Sequence, residues 1–150
     1  MRRRHSGRGP LSGQGVVEFA FVSIVVLLLS VGIIDLGRGV YQRQMLTNAV
    51  REAARAGSLA PSNSAAMAAA GQRTSPTLGL TTSNFTVTCS NWDDSNSVYT
   101  AYSTANCSSS RSRDYLKVCA NYTFGLTAPR LIGWKTVSMN ECNVTTIQHH

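Results

Sequence analysis

The sequence predicts an α+β chain in which one long N-terminal helix carries a small antiparallel β-sheet domain. Three observations lead there. Sixteen residues, Phe19 to Ile34, pass without a single charge. Helical periodicity then continues to about Ala60, with no proline between Gln14 and that residue. From Phe85 onward apolar residues alternate with polar ones, the period of a half-buried strand.

The first element, residues 1–13, reads as a basic leader peptide holding Arg2, Arg3, Arg4, His5 and Arg8. Residues 14–34 follow as a transmembrane helix. They number 21 and at 1.5 Å per residue reach about 31 Å, enough to cross a hydrocarbon core. Glu18 sits two residues inside this apolar run. An acid at the centre of a spanning helix costs roughly 2.5–3.5 kcal/mol, less near an end, so a plain anchor gains nothing from it. Two alternatives stay open: a secretory signal peptide cleaved near Ser30-Val31-Gly32, and a signal-anchor with an incidental glutamate. Four Lys/Arg precede the span and Arg38, Arg43 and Arg51 follow it, so charge bias orients it only weakly.

Residues 35–60 continue the helix in amphipathic form. Met45, Leu46, Ala49, Val50, Ala53, Ala54 and Gly57 share one arc, and Gln44, Thr47, Asn48, Arg51, Glu52 and Arg55 the other. The small-residue stripe suits packing onto the chain's own head. The result is a continuous helix of about 44 residues, ~66 Å long, with Gly32, Gly37 and Gly39 as points of bending or close helix packing. Gly57, then Leu59-Ala60-Pro61, closes it. Ser62 or Ser64 caps a second helix through Ala65–Ala70 that ends at Gly71, and Thr74–Gly79 forms a turn-rich linker.

Residues 61–150 form the head. Phe85, Val87 and Cys89 mark one strand; Leu116, Val118, Ala120, Tyr122 and Phe124 mark the clearest one; a loop through Pro129 and Trp134 leads to a last strand over about 136–147. Between them, Ser90–Arg113 is polar, with only Val98–Tyr102 strand-like. Cys89, Cys107, Cys119 and Cys142 all lie in the head. An even count confined to the part that would be exported reads as two disulfides in an oxidising compartment. Of three possible connectivities, Cys119 with Cys142 on neighbouring long strands, and Cys89 with Cys107 closing the polar loop, are favoured.

Intervening stretches of 17, 11 and 22 residues contain no Cys-x-x-Cys, so no metal site is expected, and no cofactor. Asp93 and Asp94, with Asn91, Ser95 and Asn96, lack the glycine and distal glutamate of an EF-hand loop. No internal histidine is placed to act as a base, since His5 lies in the leader and His149 and His150 end the chain, so no catalytic residue is assigned. The formal charge of +7 falls to about +3 without the four leader arginines, and no dense basic patch remains to hold nucleic acid. Sequons at Asn84, Asn106, Asn121 and Asn143 match N-x-[ST].

The junction GQGVVEF, with Gly13 ending a basic leader, Gln14 next, Glu18 fifth in the would-be mature chain and Phe19 after it, resembles the processing site of type IV pilins and pseudopilins. That resemblance implies a prepilin peptidase cutting after Gly13 on the cytoplasmic side, and Glu18 as the acid on which filament entry depends. More closely, GQGVVEFAFVSIVVLLLSVGIIDLGRGVYQRQMLTNAVREAARAG resembles TadE-like proteins of the tight-adherence (Tad, or Flp) pilus system, with YTFGLTAPRLIG agreeing more loosely. It covers about 45 of the 150 residues. The sheet domain departs from a shaft pilin, which is much shorter and nearly all helix.

The resemblance thus implies a minor pseudopilin in a single-pass cytoplasmic-membrane topology, its N-terminus cytoplasmic and its head outside, contributing to pilus biogenesis and adhesion. Its implied partners are the prepilin peptidase, other pilins and pseudopilins, the Tad inner-membrane assembly proteins and the lipid bilayer. The competing expectation is a membrane-anchored or secreted binding domain unrelated to a filament, using Trp92, Tyr99 and Tyr102 of the polar loop.

Overall fold

The computed structural model describes residues 13–126 and 136–148. Residues 1–12, in which most of the expected leader falls, the loop expected through Pro129 and Trp134, and His149 and His150 lie outside them. A single helix, α1 (Gln14–Leu59), runs 46 residues without a break, about 69 Å. Ala60 caps its end, with its N–H on the Ala56 carbonyl, and Pro61 follows. Gly57 is not the terminator expected of it. It lies inside the helix and buried, where a Cβ would meet Leu116 and the Met67 sulfur at 2.6 Å.

The short helix α2 spans Ser64–Thr74. Asn63, rather than either flanking serine, caps it, its Oδ1 accepting from the Ala66 N–H at 3.0 Å. An Asn carbonyl fills this role as well as a hydroxyl does. Gly71 does not end α2 either. The helix continues past it because Gly71 is the crossing point on α1: a Cβ there would lie 2.7 Å from the Phe85 ring and 2.9 Å from the Ala49 carbonyl oxygen. Ser75, fully buried, donates its hydroxyl to the Met45 carbonyl at 2.7 Å and ties the exit of α2 to α1. The linker then tightens into a 3₁₀ turn, Pro76–Leu78, closed by Gly79 at φ 59°.

The sheet holds β1 (Phe85–Ser90), β4 (Tyr115–Gly125) and β5 (Thr136–Thr146), antiparallel in the order β1-β4-β5. In the polar segment, β2 (Trp92–Asp93) pairs with β3 (Val98–Tyr99) as a separate two-stranded hairpin, before a 3₁₀ turn over Ala105–Ser108. Leu116, Val118, Ala120 and Phe124 are buried on the inner face of β4, the face their alternation marks. Opposite them stand Leu46, Ala49, Val50, Ala53 and Ala54 of α1, each 1 % exposed or less. The small-residue arc of α1 is therefore covered by its own sheet and by Met67 of α2.

β4 lies alongside α1, with Leu116 beside Gly57 and Phe124 beside Gly39. The hairpin end of the sheet thus sits nearest the apolar half of α1, and the Tyr115 end farthest from it. From Ile34 to Gly57 the helix climbs about 35 Å.

Candidate functional site

The first candidate site is the bare lower half of α1. Gly13 forms the turn before the helix, and its carbonyl accepts from the Val17 N–H at 3.2 Å. Glu18 is exposed, and among the described residues it makes no ion pair or side-chain hydrogen bond. Phe19 beside it is 72 % exposed, and Phe21, Leu27 and Ile33 remain more than 60 % exposed. The hydroxyls on this stretch do not stand open: Ser23 donates to the Phe19 carbonyl at 2.7 Å and Ser30 to the Val26 carbonyl at 2.8 Å. That back-bonding lets a serine sit in an apolar medium. A helix bare of packing, with its hydroxyls satisfied internally, is long and apolar enough to cross a membrane.

Where the head meets this helix, Asp35 is buried and lies 3.6 Å from Arg38, whose guanidinium stands 5.6 Å over the Phe124 ring. Local sequence gives no hint of this burial, because Asp35 shares its groove with Phe124, Val137 and Met139 of β4 and β5, distant in sequence. One turn higher, Arg43 Nε contacts Glu141 at 2.6 Å. A groove of about 400 Å³ opens between Gly32, Leu36 and Val40 of α1 and Phe124, Val137 and Met139 of the hairpin.

The second candidate site is the polar segment at the far end. Two disulfides frame it and the sheet: Cys89–Cys107 closes the segment with Cα atoms 5.0 Å apart, and Cys119–Cys142 bridges directly opposed residues of β4 and β5 at 4.0 Å. Asn106 Nδ2 donates to the Thr100 hydroxyl at 3.0 Å and the Ala101 carbonyl at 3.1 Å, and Asn91 Nδ2 donates to the Asn106 carbonyl at 3.0 Å. Asp114, 3 % exposed, accepts the Trp92 N–H at 2.9 Å and the Arg111 N–H at 2.6 Å. These residues give a segment with little regular structure a fixed shape. Sequence reasoning saw Asn106 only as a sequon and did not single out Asp114. Asn106 reaches back 5 residues to Ala101 and Asp114 reaches 22 to Trp92, and no periodic spacing marks those longer contacts.

Asp93 serves the β2–β3 turn. It accepts from the Ser95 N–H at 2.9 Å and from Asn96 Nδ2 at 2.5 Å, and the Asn96 amide first, then the Ser95 N–H, holds its carboxyl below the usual value. Asp94 faces Arg111 at 3.9 Å. Among the described residues no three His, Cys, Asp or Glu side chains gather as metal ligands. The aromatic rings cluster: Trp92 meets Tyr99 edge-on at 5.0 Å, and Tyr99 meets Tyr115 at 4.7 Å. Partial burial, then the neighbouring Tyr115, raises the Tyr99 phenol. Tyr102 lies apart, its ring 5.6 Å from the Lys117 ammonium.

The family model described as TadE-like protein matches residues 13–55. The match takes in the Gly13 junction, Glu18, the bare helix and most of the packed half, and leaves the sheet domain outside. No curated protein and no solved structure matches the chain.

Proposed function

We propose, for a chain whose residues 13–55 are TadE-like and so connect it with the Tad pilus system, that it is a minor pseudopilin processed after Gly13 and assembled through α1. The observation that carries this reading is Glu18: an exposed carboxylate on an otherwise apolar, unpacked helix, within the matched segment. Cutting after Gly13 would free the α-amino group of Gln14. Such an amine titrates at about 7.7–8.0 and is mostly cationic at neutral pH. Glu18 of an adjacent subunit would pair with it, so that neither charge stands alone in lipid. The domain plan that follows is a leader over 1–13, a span over 14–34, an amphipathic continuation over 35–60 and an exported head over 61–150. The disulfides support placing that head on the oxidising side.

The test is Glu18→Gln and Glu18→Ala in the native host. Both variants should still insert and carry folded heads, yet fall at least tenfold in material sheared from the cell surface with pili. Undiminished recovery in that fraction would contradict the reading. The partners it names are the prepilin peptidase, other pilins and pseudopilins, and the Tad inner-membrane assembly proteins. A second reading, an anchored binding domain independent of any filament, draws on the aromatic pocket at the far end of the head, and there the Glu18 variants should change nothing.

A further inference from the structure

We propose that the pocket between the β2–β3 hairpin and the Arg111–Asp114 turn binds an acidic saccharide unit, with the sugar ring stacked on Trp92 and its carboxylate held by Arg113. The pocket encloses about 340 Å³, within the range of roughly 300–1,000 Å³ that small ligands occupy. It lies beside Tyr115, the end of β4 farthest from the bare helix. The binding chemistry stands whether or not the chain enters a filament.

The aromatic wall comes first. Trp92 keeps 44 % of its surface exposed and Tyr99 41 %, and their rings brace each other and Tyr115 at 5.0 and 4.7 Å. Exposed aromatics fixed in this way present an apolar face at little entropic cost. The C–H face of a pyranose is a flat apolar surface of matching size. The Tyr99 hydroxyl lies 3.4 Å from the Arg113 carbonyl, which joins the wall to the opposite rim.

The charges come second. Both Asp114 oxygens already accept backbone N–H groups, from Trp92 and Arg111. At the mouth, Asp94 and Arg111 stand 3.9 Å apart, both largely exposed. An acceptor and a donor at that spacing suit vicinal hydroxyls. Arg113 makes no ion pair among the described residues, and its planar fork fits a carboxylate in two parallel hydrogen bonds. Its backbone adds an independent sign. Arg113 holds φ at 82°, a conformation that glycine adopts freely and a side-chain-bearing residue resists, and such strain gathers at binding sites. The frame is rigid: the Arg113 N–H donates to the Ile147 carbonyl at 3.2 Å, the Ile147 N–H to the Asp114 carbonyl at 2.9 Å, and Cys89–Cys107 closes the adjacent loop. Aromatics beside arginines also suit single-stranded nucleic acid. The oligo-dT competition below separates the two ligand classes.

The test is calorimetric titration of the full chain in detergent micelles with tri-galacturonate and with its methyl ester, which lacks the carboxylate charge and carries one added methyl group per unit. The free acid is expected to bind at least tenfold more tightly, about 1.4 kcal/mol. Trp92→Ala should lose binding of both ligands. Arg113→Gly should remove the preference for the acid while the unfolding midpoint holds or rises, because glycine relieves the φ of 82°. Equal binding of acid and ester, no binding of either at millimolar concentration, or displacement of tri-galacturonate by oligo-dT or hexaglutamate at equal affinity would each overturn the proposal.

Discussion

Two glycines show how closely single residues set the packing of this head. Gly57 and Gly71 lie where α1 and α2 approach the sheet and each other, and a Cβ at either meets neighbours at under 3.0 Å. The obstacles differ in kind. At Gly57 they are the flexible ends of Leu116 and Met67; at Gly71 they include the Ala49 carbonyl, which cannot turn aside. Gly71→Ala should therefore cost about 2–3 kcal/mol and Gly57→Ala less, about 1 kcal/mol, by the usual scale of overpacking. Thermal unfolding followed by circular dichroism would read the order, and equal losses would contradict it. Both glycines were visible in the sequence, but as helix ends. A glycine near the close of a helical pattern looks the same whether it caps the helix or admits a neighbour. Only the partner surface distinguishes the two, and that surface, around Phe85 and Leu116, lies 14 and 59 residues away in sequence.

At the scale of elements, local patterning translated well. The arc of Leu46, Ala49, Val50, Ala53 and Ala54 is the buried face of α1, and the alternation from Leu116 to Phe124 is the inner face of β4. Periodicity reports burial directly because helix and strand repeat at different intervals. The polar segment resisted because its shape comes from Asn91, Asn106 and Asp114 reaching across it, with no period to reveal them. The Cys89–Cys107 bridge holds that same segment across 18 residues. Replacing both cysteines by serine should lower stability by roughly 3 kcal/mol on the loop-entropy scale, read as a lower midpoint in urea.

The β2–β3 turn carries its own pH dependence. Asp93 has its carboxyl lowered from 3.8 by the Asn96 amide first and the Ser95 N–H second. A lowered folded-state value means the contribution is complete above the unfolded value of about 3.9 and fades as pH falls through the lower one. The Ser95 amide resonance should titrate with a midpoint below 3.8, and Asn96→Ala should bring that midpoint back up. A midpoint unchanged by the substitution would remove Asn96 from the explanation.

Taken whole, the molecule is one rod used twice. The upper half of α1 is the spine of the head, fixed by the sheet, by α2 and by Arg43 on Glu141. That exposed pair contributes little, about 0.2–1 kcal/mol; the buried core contributes far more, and Leu116→Ala should cost about 2–5 kcal/mol. Among the described residues, the stretch from Gly15 to Ile34 leaves most of its large apolar side chains bare. That stretch is long and apolar enough to cross a membrane. This division was legible from the uncharged run alone, since sixteen uncharged residues leave no polar face. The role proposed for Glu18 involves a second molecule, which a single chain does not contain.

The central claim is that Gln14 begins the mature protein and Glu18 is the residue that meets it in a neighbouring copy. Mass spectrometry of the intact protein purified from its native host tests this most directly. A mature chain starting at Gln14 is the expected result. A chain starting at Met1 or Arg2, as for an uncut anchor, or at Ile33, as for a cleaved secretory signal, would contradict it.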